Sequence, residues 1–221
     1  MNVSPSATNR TTVGPTFELE RQAGVPCVAG VDEAGRGPLA GPVIAAAVVL
    51  DRTRVPGGID DSKVLKEPDR ERLFAEITTT VPFGVGIGSV AEIDRLNILQ
   101  ASLLAMRRAV TALAWHIGHM PDLALVDGNR SARLACPERL VIGGDAASLS
   151  IAAASIIAKV TRDRLMVRLA NQHAGFRWET NRGYPTAHHR LALTILGPTP
   201  HHRRSFAPLR PTKHEQPRLT L

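Results

Sequence analysis

Apolar residues fall into two kinds of stretch along this chain: short unbroken or alternating runs, and longer runs that recur at steps of three or four. Cys27–Val31 and Val43–Leu50 are of the first kind and predict two strands, joined by the Gly- and Pro-rich segment Gly35–Pro42. Pro68 opens a stretch with Leu73, Phe74 and Ile77 on one face, which predicts a helix. Val81, Phe83, Val85 and Ile87 then alternate within 81–90 and predict a third strand. The clearest helical period starts near Ala91 and runs through Ile93, Leu96, Leu99, Leu103, Met106, Val110 and Leu113 to Ile117, predicting one helix whose stripe packs on the sheet. Leu123–Val126 and Leu140–Ile142 predict short strands, and Ser148 to about Ala170 a last long helix rich in Ala and Ile. Strands first, then strands alternating with helices, indicate an α/β fold with a mixed sheet covered by helices.

The pattern fades at both ends. Residues 1–22 and 209–221 carry little apolar period and much Ser, Thr, Pro or Arg, so both are expected to be flexible tails around a single domain over 23–208. The longest apolar run, Val43–Leu50, is far below the roughly 20 residues a membrane span needs. With no basic and apolar leader at the start, a cytoplasmic location is expected. Cys27 and Cys136 cannot form a disulfide framework or a four-ligand zinc site alone; both are read as reduced, Cys27 within a strand. The net charge of +7 points to a polyanionic partner, although an arginine-rich composition also follows from genomic base content.

Three apolar strands end in acids: Val28–Val31 runs into Asp32 and Glu33, Leu123–Val126 into Asp127, and Leu140–Ile142, through Gly143 and Gly144, into Asp145. Strand ends are where such sheets present ligand sites. Converging carboxylates in a partly buried volume demand a cation, and oxygen ligands suit Mg²⁺ or Mn²⁺ rather than zinc. The matching reaction is phosphodiester hydrolysis by two metals roughly 4 Å apart. Taken singly, each acid is also an ordinary turn or cap residue: Asp127-Gly128 is a turn pair and Asp145 precedes a helix. Asp32 and Glu33 are adjacent and would point to opposite faces of a regular strand, so their meeting requires the chain to bend into the glycine loop.

The segment Gly30-Val31-Asp32-Glu33-Ala34-Gly35-Arg36-Gly37-Pro38-Leu39-Ala40-Gly41-Pro42-Val43 resembles the opening signature of type 2 ribonuclease H, ribonuclease HII. Similar blocks follow in order: Asp61-Ser62-Lys63, Leu96–Leu99, Val126-Asp127-Gly128-Asn129, Gly144-Asp145, Ser150–Asp163, Gly183-Tyr184-Pro185-Thr186 and Arg203-Arg204-Ser205-Phe206. The resemblance implies a ribonuclease H-like mixed sheet flanked by helices with a small helical C-terminal segment. It makes Asp32, Glu33, Asp127 and Asp145 the acids that hold divalent Mn²⁺ or Mg²⁺. It also implies a monomeric endoribonuclease cutting RNA-DNA hybrids, and duplex DNA on the 5′ side of a single embedded ribonucleotide. Gly35, Arg36 and Gly37 are then expected to approach the 2′-hydroxyl through the backbone, Tyr184 to contact the neighbouring sugar, and Ser62 and Lys63 to contact phosphates. Arg203 and Arg204 are expected to touch duplex phosphates, the adjacent His201 and His202 to be surface residues, and Asp163 to be structural; His189 matches a family position. Competing readings are a DNA nuclease or strand-transfer enzyme of the same fold, or a noncatalytic binding module.

Overall fold

The computed structural model describes residues 14–210. Strands β1 (Val28–Ala34), β2 (Val43–Val48), β3 (Phe83–Gly88), β4 (Leu123–Asp127) and β5 (Glu138–Val141) form one sheet in the order β3-β2-β1-β4-β5. β1, β2 and β3 pair antiparallel, and β1, β4 and β5 pair parallel. The sheet is therefore mixed, and its parallel half ends where the sequence places its acids.

Helix α4 (Ile98–Ile117) packs on one face against Ala29, Val31, Val43, Ala45, Ala47, Ala124 and Val126. Helices α2 (Glu67–Thr80) and α5 (Leu149–Gln172) cover the other, against Ala46 and Val48. β2, buried along its whole length on both faces, reads as a continuous apolar run for that reason. On β3 the glycines, not the hydrophobic residues, meet α4: a Cβ at Gly86 would lie 2.0 Å from the Ala105 carbonyl oxygen. The alternation of Phe83, Val85 and Ile87 gives the strand correctly, but Phe83 and Val85 pack on the α2/α5 side and Ile87 is exposed.

The single helix predicted from Ala91 to Ile117 is two. Helix α3 (Val90–Leu96), opened by a Ser89/Glu92 capping box, stops at Asn97, whose positive φ of 74° breaks the helix and whose side chain caps the next by accepting from the Gln100 N–H. The apolar period continues across the break, so the period alone does not reveal it. Of the tail expected over residues 1–22, Gly14–Gln22 are folded onto the domain. Thr16 bridges Ser148, and helix α1 (Glu18–Gln22) buries Glu20, which accepts from the Ser148 hydroxyl at 2.6 Å and the Ser150 N–H at 3.0 Å. The remaining tail residues, 1–13 and 211–221, lie outside the described residues. Cys27 precedes β1 and donates its N–H to Asp122. After α5, two short helices, α6 (Trp178–Asn181) and α7 (Ala187–Leu196), gather with Leu39, Met166 and Phe176 into a small separate cluster around Trp178.

Candidate active site

The register that pairs Val31 with Val126 makes Asp32 and Asp127 the next positions on adjacent parallel strands, so the two carboxylates stand side by side. Both belong to the α5 side, the parity of Val28 and Leu125, which pack on Ile151. Glu33 has the parity of Ala29 and Val31 and so starts from the α4 side. Yet one carboxylate oxygen from each of Asp32, Glu33 and Asp127 lies within 4.8 Å of the other two. The expected bend is absent, because β1 stays paired with β2 through Ala34 and Ile44. The longer Glu33 side chain instead reaches over the end of the sheet.

Asp145 lies on a one-turn 3-10 helix, Gly144–Ala146, and is 5% exposed. The turn is tied to β4 by the Gly144 N–H, which donates to Asp127 Oδ1 at 2.7 Å. Gly30 brings the segment after it close to β1: a Cβ there would lie 2.1 Å from the Ser150 backbone carbon, so the first turn of α5 crosses against bare backbone. Asp145 stands outside the tight group of three, and its Oδ2 accepts from Lys63 Nζ at 2.6 Å.

Burial pushes the Asp32 carboxyl well above the usual carboxylate range, and the charges of Glu33, Asp127 and Asp145 add to the effect. Burial also raises Glu33, against the pull of Arg36 at 3.1 Å, and raises Asp127. Burial opposes the Lys63 ammonium, but the hydrogen bond and charge of Asp145 outweigh it and raise its pKa. Glu33 Oε2 is buried and has no hydrogen-bond partner among the described residues. Crowded carboxylates with an unsatisfied buried acceptor are what a bound cation would complete, and an all-oxygen set suits a hard divalent ion. The residues present therefore fit a divalent metal.

Above the acids opens a cleft of about 510 Å³, walled by Gly35, Arg36, Gly37, Ser62, Lys63 and Tyr184 among others. The expected contacts from Gly35 to Gly37, Ser62, Lys63 and Tyr184 thus line one cavity with Asp32, Glu33 and Asp127, whereas Arg203 and Arg204 lie outside it. Tyr184 is 43% exposed at the mouth. Ser62 is buried and its hydroxyl hydrogen-bonds Ser155 at 2.6 Å, while Arg70 donates to its carbonyl. Asp163 pairs with Lys159 and Arg182.

Two expectations for the C-terminal segment do not hold. Arg203 is fully buried under the glycine loop rather than facing a duplex, because backbone carbonyls of that loop surround its guanidinium. His202 is buried rather than on the surface. It accepts from the Thr199 N–H, and its Nε2 stands 3.0 Å from Nε2 of His189. His189 Nε2 accepts from Trp178 Nε1–H, and its Nδ1–H donates to the Tyr184 carbonyl at 2.9 Å. Each ring nitrogen in this chain then has one consistent role, with both histidines neutral. Arg162, buried inside α5, was not anticipated either. Its trace in the sequence is a charged residue on the helix stripe that buries Ala158, Met166 and Leu169.

The mixed five-stranded sheet flanked by helices, with carboxylates at adjacent parallel strand ends, is a ribonuclease H-like fold. The family model for ribonuclease HII matches residues 29–209. Ribonuclease HII of Granulibacter bethesdensis is 57% identical over 189 residues, covering 83% of this chain and 84% of that protein. The Rhizorhabdus wittichii protein of the same name is 58% identical over 184 residues, covering 83% and 89%. Among solved structures, ribonuclease H2 from Pyrococcus horikoshii OT3 superposes with a TM-score of 0.66 at 28% identity, covering 84% of this chain and 96% of that one. The chain belongs to the ribonuclease HII family and is a ribonuclease H-type hydrolase.

Proposed function

We propose that this enzyme hydrolyses the phosphodiester on the 5′ side of ribonucleotides in RNA-DNA hybrids and of single ribonucleotides embedded in duplex DNA, and so serves to remove ribonucleotides from DNA. The observation that carries the reading is the carboxylate group of Asp32, Glu33 and Asp127, with oxygens within 4.8 Å, at the floor of a cleft whose wall is the glycine loop. These three residues, with Asp145 beside them, would hold two divalent ions, Mn²⁺ or Mg²⁺. Such ions activate an attacking water and neutralise charge on the leaving oxygen. Arg36 holds Glu33 and Lys63 holds Asp145, so each cation orients an acid and leaves positive charge facing an incoming phosphate. Backbone donors of the loop approach a 2′-hydroxyl without any base contact, which makes cutting independent of sequence. Tyr184 offers a half-exposed ring for the adjacent sugar.

The test is a duplex DNA carrying one ribonucleotide, with the cut position mapped. One cut on the 5′ side of the ribonucleotide is expected, none on the matched all-DNA duplex, and none after chelation of divalent ions. Cutting of the all-DNA duplex would favour a DNA nuclease of this fold. We further expect a monomer in the cytoplasm. Both cysteines are free, in keeping with a reducing compartment, and no helix among the described residues is long and apolar enough to cross a membrane.

A further inference from the structure

Arg162 and Arg203 are 1% and 0% exposed, and neither makes an ion pair with a carboxylate among the described residues. All their hydrogen bonds go to backbone carbonyls. Arg203 donates to Gly35, Arg36, Gly41 and Pro42 over 2.5–3.3 Å. Arg162 donates to Ala40, Pro42 and Arg182, each at 3.0 Å. Six of these seven bonds land on the glycine loop. A buried guanidinium without a counterion is costly, and an apolar side chain would fill the same space more cheaply if filling were all that mattered.

The carbonyls it holds set the direction of the neighbouring donors. A planar trans peptide points its C=O and the following N–H in opposite directions. Pinning the Gly35 carbonyl inward to Arg203 therefore turns the Arg36 N–H outward, and pinning the Arg36 carbonyl turns the Gly37 N–H outward. Both residues line the cleft, and neither N–H has a hydrogen-bond partner among the described residues. Gly35 permits the arrangement: its φ is 97°, and a Cβ would lie 2.0 Å from Arg162 Nε. Arg162 thus occupies the volume a side chain would need, and Arg203 sets the peptide planes.

Resting on the function proposed above, we propose that Arg203 and Arg162 are positioning residues for substrate specificity. They aim the Arg36 and Gly37 N–H groups at the ribose of the scissile nucleotide without touching substrate themselves. Charge alone would not suffice, because a lysine ammonium cannot span carbonyls on four residues in the plane a guanidinium reaches.

The experiment compares wild-type enzyme with Arg203→Lys, Arg203→Met and Arg162→Lys, each checked for folding by circular dichroism. Three quantities are read: kcat/KM on the one-ribonucleotide duplex, Kd for the uncut all-DNA duplex, and Mn²⁺ affinity. In Arg203→Lys we expect kcat/KM to fall about tenfold or more while the all-DNA Kd stays within about twofold. Mn²⁺ binding by calorimetry is expected to be unchanged, and Arg203→Met to be no worse than Arg203→Lys. A smaller fall, a parallel loss of all-DNA binding, or a lysine variant that restores activity lost in the methionine variant overturns the proposal. If Arg203→Met does not fold, the two lysine variants decide by the same criteria. Failure of wild-type enzyme to cut at the ribonucleotide would instead overturn the functional reading itself.

Discussion

Two charged clusters share one cleft and are built in opposite ways. The acids at the ends of β1 and β4 crowd together, burial and mutual repulsion raise their pKa values, and one buried oxygen of Glu33 has no donor. Behind the glycine loop, the buried arginines have carbonyl partners for every nitrogen. Burial lowers the Arg162 and Arg203 pKa values to about 10 and about 9, which leaves both protonated at neutral pH. On the proposed function the unsatisfied cluster is the one that would meet metal and substrate, and the satisfied one the framework behind it. Incomplete satisfaction separates the two clusters of this cleft better than charge does.

The contrast is sharpest in substitution. Asp32→Asn or Asp127→Asn is expected to slow cleavage by about 10³-fold or more, because on the proposed function each supplies a metal ligand. The same change should leave Tm unchanged or raise it, since it removes a repelled buried charge. Arg203→Met should instead lower Tm, because it orphans the carbonyls of Gly35, Arg36 and Gly41, Pro42 keeping its bond from Arg162. Scanning calorimetry beside cleavage rates reads both. A large Tm loss in the aspartate variants would show that the acids, too, hold the fold together.

Gly35→Ala comes next. It places a side chain at φ 97° and against Arg162, and should cost on the order of 2 kcal/mol of stability together with most of the activity. Denaturant unfolding and cleavage rates check it.

The histidine chain offers a pH test of intermediate size. Burial first, then the neighbouring His189, His173 and His201, lowers the His202 pKa to about 4. Between about pH 6.5 and pH 4 the unfolded chain takes up a proton that the folded chain refuses, so stability falls with pH across that window and levels off below it. The loss attached to His202 is on the order of 3 kcal/mol, and Tm of His202→Asn should depend less steeply on pH there. An unchanged slope would show that this histidine is not kept neutral.

The smallest effect belongs to Lys63, whose side chain is 73% exposed although it pairs with Asp145. Lys63→Met should raise KM only a few-fold and lower the salt dependence of binding by about one phosphate contact. A loss as large as that of Asp127→Asn would place Lys63 in the chemistry.

The floor of the cleft was legible because strand-terminal acids and a glycine loop are local features, and sheet register carries them to one place. What was not legible depends on distant partners. Arg203 sits in a stretch with no apolar period, and nothing nearby in sequence shows that Gly35 and Arg36 supply its acceptors. Glu20 falls in a segment with too few apolar residues to look folded, yet it caps α5 from across the chain. The break at Asn97 is hidden because a cap with positive φ leaves the apolar stripe in step on both sides. His189 and His202 meet through the cluster around Trp178, thirteen residues apart in sequence.

Whether Asp32, Glu33 and Asp127 jointly hold a divalent ion is read from a Mn²⁺-soaked crystal by anomalous scattering at the manganese edge. A peak bounded by oxygens of all three carboxylates, with Asp145 adjacent, is the expected result. Anomalous density elsewhere, with these three side chains contacting no ion at saturating Mn²⁺, would contradict it.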